Sequence, residues 1–388
     1  MTFATLALVV ALGLLGPLLA LPRQWYLPVL LGELIAGIIF GTTGFRILDP
    51  SDPIFVFLAD MGFALVMFAA GTHVPVRDPQ VRSALGAGAL RAVLVGVVAA
   101  VAGWAVAQAF DLGHAGIYAV LMASSSAAMA LPIIDSMRLS GPPVLALTAQ
   151  VAIADTACIV ALPLVIDPAN AVRAAIGAVA VALCAVVMFL VLRYLEKTGT
   201  RRQVHEVSEE RKFTLELRVS LVLVFALCGV ASAMHVSIML GGFAAGLAVA
   251  GVGAPRRVAK QVFAISDGLL APLFFVWLGA RLDLRELGEH PRFVLLGLVL
   301  GFGAVGVHCA ARLLGQPVAY GALAAAQIGV PVAAVTVGSQ LGVLVPGEGS
   351  AIMLATLCTI AVAAIAAGRI AKKAPAVAAE PPRKPDSP

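Results

Sequence analysis

The chain has 388 residues, of which 61% are apolar and 12% charged, and its mean hydropathy is +1.01. A soluble domain carries about a quarter charged residues, so this composition describes a membrane protein, and at roughly 20 residues per span it leaves no room for an appended soluble domain of ordinary size. The net charge of +5 acts through its distribution among loops and predicts no nucleic-acid partner.

The opening Met1-Thr2-Phe3-Ala4-Thr5-Leu6 has no basic flank, and the apolar run over 1–21 is long enough to span, so it reads as a retained leading helix. Further apolar runs lie near 26–45, 53–72, 84–110, 114–134, 145–165, 170–192, 215–234, 236–252, 262–280, 293–314, 318–343 and 350–370, which predicts an all-α polytopic protein of about thirteen transmembrane helices. Two segments do not span. Residues 193–212, rich in Arg, Lys and Glu, read as a cytosolic loop, and 372–388, rich in Pro and Ala, as a disordered cytosolic tail. The loop divides the transmembrane domain 1–371 into the leading helix, a first repeat over 26–192 and a second over 215–371. With the N-terminus outside and the C-terminus in the cytosol, 21 of the 26 Lys and Arg fall at or near cytosolic ends, the asymmetry expected of a correct span count. The membrane is expected to be the plasma membrane of a prokaryote.

Corresponding interruptions in two halves point to an inverted-repeat transporter with its site at the bilayer midplane. The fifth span carries Ser124-Ser125-Ser126 followed by Pro132, and the twelfth carries Gln327-Ile328-Gly329-Val330-Pro331. Both are next to last in their set of six. Each combines a proline, which lacks a backbone N–H, with small or polar residues able to satisfy freed carbonyls.

Charges inside spans are few, and each costs about 2.5–3.5 kcal/mol on insertion scales. Asp155 lies in mid-span directly after the serine-rich break, with no basic residue within a helical turn in sequence, so it is the leading candidate for exchanging a proton with a small cation; Thr156 follows it. The bland alternative is a protonated acid bonded to a neighbouring helix. Glu33 between Gly32 and Gly37, Asp60 in the third span and Asp267 in the tenth are accessory candidates that packing or ion pairing would equally explain. His308 lies deeper in its span than His73 and has the better claim to an accessory role. The run Gly301-Phe302-Gly303-Ala304-Val305-Gly306 fits G-x-G-x-x-G, yet its apolar flanks and lack of a preceding strand favour helix packing over dinucleotide binding. Five single cysteines without C-x-x-C spacing support neither a disulfide framework nor a transition-metal site.

Four segments resemble the monovalent cation:proton antiporter-2 family of NapA-type and Kef-type transporters. They are Leu30–Gly41, Leu58–Gly71 with its Asp60-Met61-Gly62, the run Ser124–Leu131, and Pro272-Leu273-Phe274-Phe275-Val276-Trp277-Leu278-Gly279. The likeness implies a NapA/NhaA-like antiporter fold of two inverted repeats with crossing broken helices, a homodimer, and a core bundle moving against a dimerisation domain. It also implies that Asp155, with Ser124, Ser125, Ser126 and Thr156 nearby and Pro132, Gln327, Gly329 and Pro331 shaping the breaks, binds the ion. Three positions depart from the pattern. Ala154 stands where an Asp, Asn or Gln normally precedes the aspartate, Gly303 where a basic residue is common, and Gly329-Val330 where the family has Gly-Glu. Loss of an acid together with its cationic partner orphans neither charge, and leaves one titrating carboxylate.

The function expected is therefore secondary antiport of Na⁺ or K⁺ against H⁺, close to electroneutral, with no cofactor beyond the transported ions. An ion-coupled carrier of an organic solute on the same fold and a non-transporting membrane sensor remain as alternatives. No His-Asp or His-His spacing supplies the machinery of an intramembrane enzyme.

Overall fold

The computed structural model describes residues 1–21, 29–74, 77, 79–136, 139, 141–199, 215–234, 236–253 and 262–373. Most of the loop over 193–212 and nearly all of the tail over 372–388 therefore lie outside the described residues. The helices are α1 Phe3–Gly13, α2 Leu15–Ala20, α3 Val29–Phe40, α4 Pro53–His73, α5 Pro79–Ala109, α6 Ala115–Ala123, α7 Ala127–Ser136, α8 Pro142–Ile166 and α9 Ala171–Lys197. They continue as α10 Leu215–Ala233, α11 Ile238–Val252, α12 Ala271–Arg281, α13 Leu284–Glu289, α14 Pro291–Cys309, α15 Val318–Ala324, α16 Gly329–Gln340 and α17 Glu348–Lys373. Among the described residues nine helical stretches are long and apolar enough to cross a membrane and three more are shorter apolar helices; with the broken pair α6/α7 they correspond to the thirteen apolar runs of the sequence.

Local chemistry sets the helix starts. Pro53 opens α4, whose first N–H groups are capped by the Asp52 carboxylate, at 2.9 Å from the nitrogen of Ile54 and 3.2 Å from that of Phe55. Pro142 and Pro143 open α8 after Gly141, whose φ of 101° suits glycine. Ahead of α12, Ser266–Leu270 widens into a π turn. Pro272 follows and has no N–H to return to the carbonyl of Gly268, which accounts for the lost register.

The helices form two bundles. In one, α5 packs on α6 and α8, α14 packs on α17 and α6, and α16 packs on α8. In the other, α4 packs on α11 and α12, α3 on α12, and α10 on α11. Within the second bundle the backbones nearly touch. A Cβ on Gly37 of α3 would stand 2.1 Å from the carbonyl oxygen of Val276, and one on Gly279 of α12 would stand 2.1 Å from that of Leu34. Between the bundles the contacts are sparser and softer, made by α4 against α7 and α11 against α8, with α9 packing on both α8 and α11 and with the thioethers of Met67 and Met239 facing Gly329. The glycine-rich run over 301–306 lies inside α14, where Gly301 packs on Ala355 and Cys358 of α17; it is a packing face, as its sequence context indicates.

Candidate functional site

The two broken spans meet at their breaks. α6 stops at Ala123 and α7 starts at Ala127; α15 stops at Ala324 and α16 starts at Gly329. Two consecutive serines tie one break to the other. Ser124 donates to the side-chain carbonyl of Gln327, with its Oγ also 3.0 Å from the oxygen of Leu121, and Ser125 donates to the carbonyl of Ala324 at 2.7 Å. Ser124, Ser125, Ser126 and Gln327 are all buried, so their side chains satisfy polar groups that the interrupted helices leave without helical partners.

The breaks precede both prolines. Pro331 is the third residue of α16, in the first turn where an N–H has no intrahelical partner, and α7 runs on through Pro132. It is the serine run and the segment 325–328 that interrupt the helices, and the prolines lie within the resumed half-helices.

Asp155 stands midway along α8 with only 5% of its surface exposed. Its carboxylate accepts the N–H of Ala127, the first residue of α7, at 2.8 Å. A half-helix N-terminus presents unpaired N–H groups and a positive end, which favours the negative charge. Among the described residues no salt bridge reaches this carboxylate. The two departures beside it have concrete packing. Ala154 is buried, and a Cβ on Gly303 would run into the Met122 Cε of α6 at 2.4 Å, so a thioether occupies the path that a long basic side chain from position 303 would take. The Thr156 hydroxyl bonds back to the carbonyl of Ala152 at 2.8 Å, within its own helix. Gly329 faces Met67 Sδ, 3.2 Å from where its Cβ would be.

His308, fully buried on α14, belongs to the crossing. Its Nδ1 lies 2.9 Å from the carbonyl of Ala304 and its Nε2 lies 3.2 Å from Ser125 Oγ. The other accessory candidates sit in the second bundle. Glu33 is buried, its stem pressed on Gly16 and its charge facing Asp267 of the π turn. Asp60 lines a cavity of about 480 Å³ between the bundles, together with Phe63, Phe274 and Trp277 on one wall and Leu162, Val332 and Thr336 on the other. The Phe63 and Phe274 rings stack at 4.8 Å, and the guanidinium of Arg281, which interacts electrostatically with Asp60, lies 5.4 Å from the Trp277 ring centre.

Two polar groupings carry no advance signal in the sequence. Glu348, the first residue of α17, is completely buried; its Oε1 takes the Tyr118 hydroxyl at 2.6 Å and His114 Nδ1 at 2.7 Å, and its Oε2 takes the Val345 N–H at 3.0 Å. Gln316 donates to Gln150 at 2.8 Å, both buried. Glu348 follows Pro346-Gly347 and looks like a loop residue in sequence, and glutamines at 150 and 316 lie far apart in the chain.

A family model described as "Sodium/hydrogen exchanger, transmembrane" matches residues 7–373. The chain is 29% identical over 283 residues to the glutathione-regulated potassium-efflux system protein KefC of Enterobacter sp. (strain 638), covering 70% of this chain and 44% of that protein. It is 29% identical over 290 residues to KefC of Klebsiella pneumoniae (strain 342), with 71% and 44% covered. The chain thus spans less than half the length of these relatives. The fold is similar to that of the sodium proton antiporter MjNhaP1 from Methanocaldococcus jannaschii, with a TM-score of 0.67 and 19% identity over 96% of this chain and 98% of that one.

Proposed function

The chain belongs to the transmembrane sodium/hydrogen exchanger family, and from that premise we propose that it exchanges a monovalent cation, Na⁺ or K⁺, for protons by alternating access, with Asp155 as the exchanging group. The observation that carries this reading is the placement of a buried carboxylate, with no salt bridge among the described residues, on the N-terminus of a broken half-helix whose break is tied to a second one. A proton and a dehydrated cation compete for the same oxygens, so release of one on one side accompanies capture of the other on the opposite side. With Ala154 in place of an acid and Met122 filling the space at Gly303, one carboxylate titrates and the exchange is electroneutral. The bundle containing α8 is the moving part, the bundle containing α4 and α11 is the dimerising part, and the N-terminus lies outside.

Flux in proteoliposomes across a panel of Na⁺, K⁺ and Li⁺ tests the reading. Asp155→Asn, which keeps the shape and removes the charge, should abolish exchange while leaving a monodisperse protein; retention of more than about a tenth of the rate, a deficit of only ~1.4 kcal/mol, would remove Asp155 from the mechanism. A second reading, an ion-coupled carrier of an organic solute, draws on the aromatic-walled cavity of about 480 Å³, larger than a bare ion needs. Uptake of an organic solute without cation/proton exchange would select it.

A further inference from the structure

The cavity between the two bundles leads toward Asp155, and the charges on its walls are unevenly placed. It comes within two helical turns of the crossing, at Leu162, seven residues beyond Asp155 on α8, and at Val332, three beyond Gly329 on α16. Asp60 and Phe63 of α4 line the facing wall. Asp60 precedes Met67, the residue that faces Gly329, by seven positions, about 10 Å along a helix. At the mouth Asp167 and Arg173 carry opposite charges, so among the lining residues the Asp60 carboxylate decides the sign of the field inside.

Among the described residues no salt bridge reaches Asp60. Beside it the Phe63 and Phe274 rings stack at 4.8 Å, with Trp277 stacked at 6.4 Å from Phe274, and ring faces are negative. A carboxylate among ring faces in a cleft with low-dielectric walls concentrates cations. A space of about 480 Å³ admits an ion with its water still attached, so nothing here forces dehydration. Against this pull stands Arg281, whose guanidinium lies 5.4 Å from the Trp277 ring centre and interacts electrostatically with Asp60. The acid gathers cations, and the guanidinium keeps the hold weak.

We propose that Asp60 is a waiting site for the transported monovalent cation, holding it in hydrated form beside Phe63 and Trp277 on the way to Asp155, with Arg281 weakening the hold. The proposal rests on the antiport reading for the identity of its ion, and its test separates the two.

Trp277 is a reporter inside the site. In a Trp25→Phe/Trp104→Phe chain at low ionic strength, quenching of its fluorescence by thallous ion should fall about threefold in Asp60→Asn and rise in Arg281→Gln, while quenching by iodide shifts in the opposite sense for each. Raising the ionic strength should shrink these differences. Exchange in right-side-out and inverted vesicles should show Asp60→Asn raising KM for the cation about threefold on the cavity side alone, with kcat within twofold, and Asp60→Glu restoring it. Unchanged thallous quenching in Asp60→Asn, shifts of one sign for both quenchers, or an equal rise in KM on both sides would overturn the proposal. If Asp60→Asn does not fold, Arg281→Gln decides: opposite shifts for the two quenchers uphold the site, and like or absent shifts remove it. Should the chain show no exchange while quenching follows the charges, the waiting site stands and the antiport reading falls.

Discussion

The Asp155 carboxylate and the Ala127 N–H meet at 2.8 Å, so an acid from the middle of α8 rests on the opening turn of α7. On the reading proposed above this bond couples the exchanging group to the break, so exchange should depend on the position of the carboxyl as well as on its charge. Asp155→Glu keeps the charge but moves the carboxyl by one methylene, out of register with that N–H. Exchange should drop at least about tenfold, ~1.4 kcal/mol, with unchanged yield and thermal stability. Near-normal flux through the glutamate variant would show that the α7 N-terminus does not position the ion.

Electroneutrality is the second expectation. On the proposed reading Asp155 is the one exchanging carboxylate, with Ala154 beside it and Met122 across from Gly303, so no second charge is expected to move with the ion. Clamping the potential with valinomycin and potassium should leave sodium/proton exchange rates nearly unchanged when external sodium is the driven ion. A rate that follows the imposed potential steeply would mean a second charge crosses with each turnover.

Glu348 should matter for stability at a distance from Asp155. Glu348→Ala strands the buried Tyr118 hydroxyl, at a cost of about 1–3 kcal/mol, and removes the acceptor of His114 Nδ1 and of the Val345 N–H as well. Tyr118→Phe removes a single bond, worth about 1 kcal/mol. Thermal unfolding in detergent should therefore rank wild type above Tyr118→Phe above Glu348→Ala. Equal melting temperatures would reduce the cluster to an incidental contact.

Gly37→Val tests the close approach of α3 and α12. With 2.1 Å between the ideal Cβ and the Val276 carbonyl oxygen, no side chain fits without parting the helices; overpacking of this kind costs about 1–3 kcal/mol or more. Size-exclusion profiles and melting curves should show loss of folded protein. Gly86, which has open space around it, is the control: Gly86→Val should behave as wild type.

Much of the fold was legible because the bilayer simplifies the reading. Apolar runs bounded by Pro, Gly and charge located the helices, nine of them long and apolar enough to span, and Ser124-Ser125-Ser126 marked a real break. The prolines misled on position, since Pro331 sits in a helix first turn that tolerates it and α7 absorbs Pro132. Asp155 stood out as an acid amid apolar neighbours, whereas its partner, the Ala127 N–H, is a backbone group that no residue letter announces. Thr156 illustrates the reverse: a hydroxyl beside the key acid in sequence points along its own helix to Ala152. Glu348 escaped notice because its burial comes from α6, over 200 positions earlier.

The contrast between the glycine seam of α3 and α12 and the methionine contacts of Gly329 has a mechanical meaning. Backbone locked on backbone has high friction, and such a joint turns as one piece. Unbranched thioethers re-form their contacts at many offsets with little penalty, so if the bundles slide past one another as proposed, Met67 and Met239 against Gly329 would serve as a lubricated bearing between them. Stiffening that bearing with β-branched residues would set the turnover speed without altering what the protein binds.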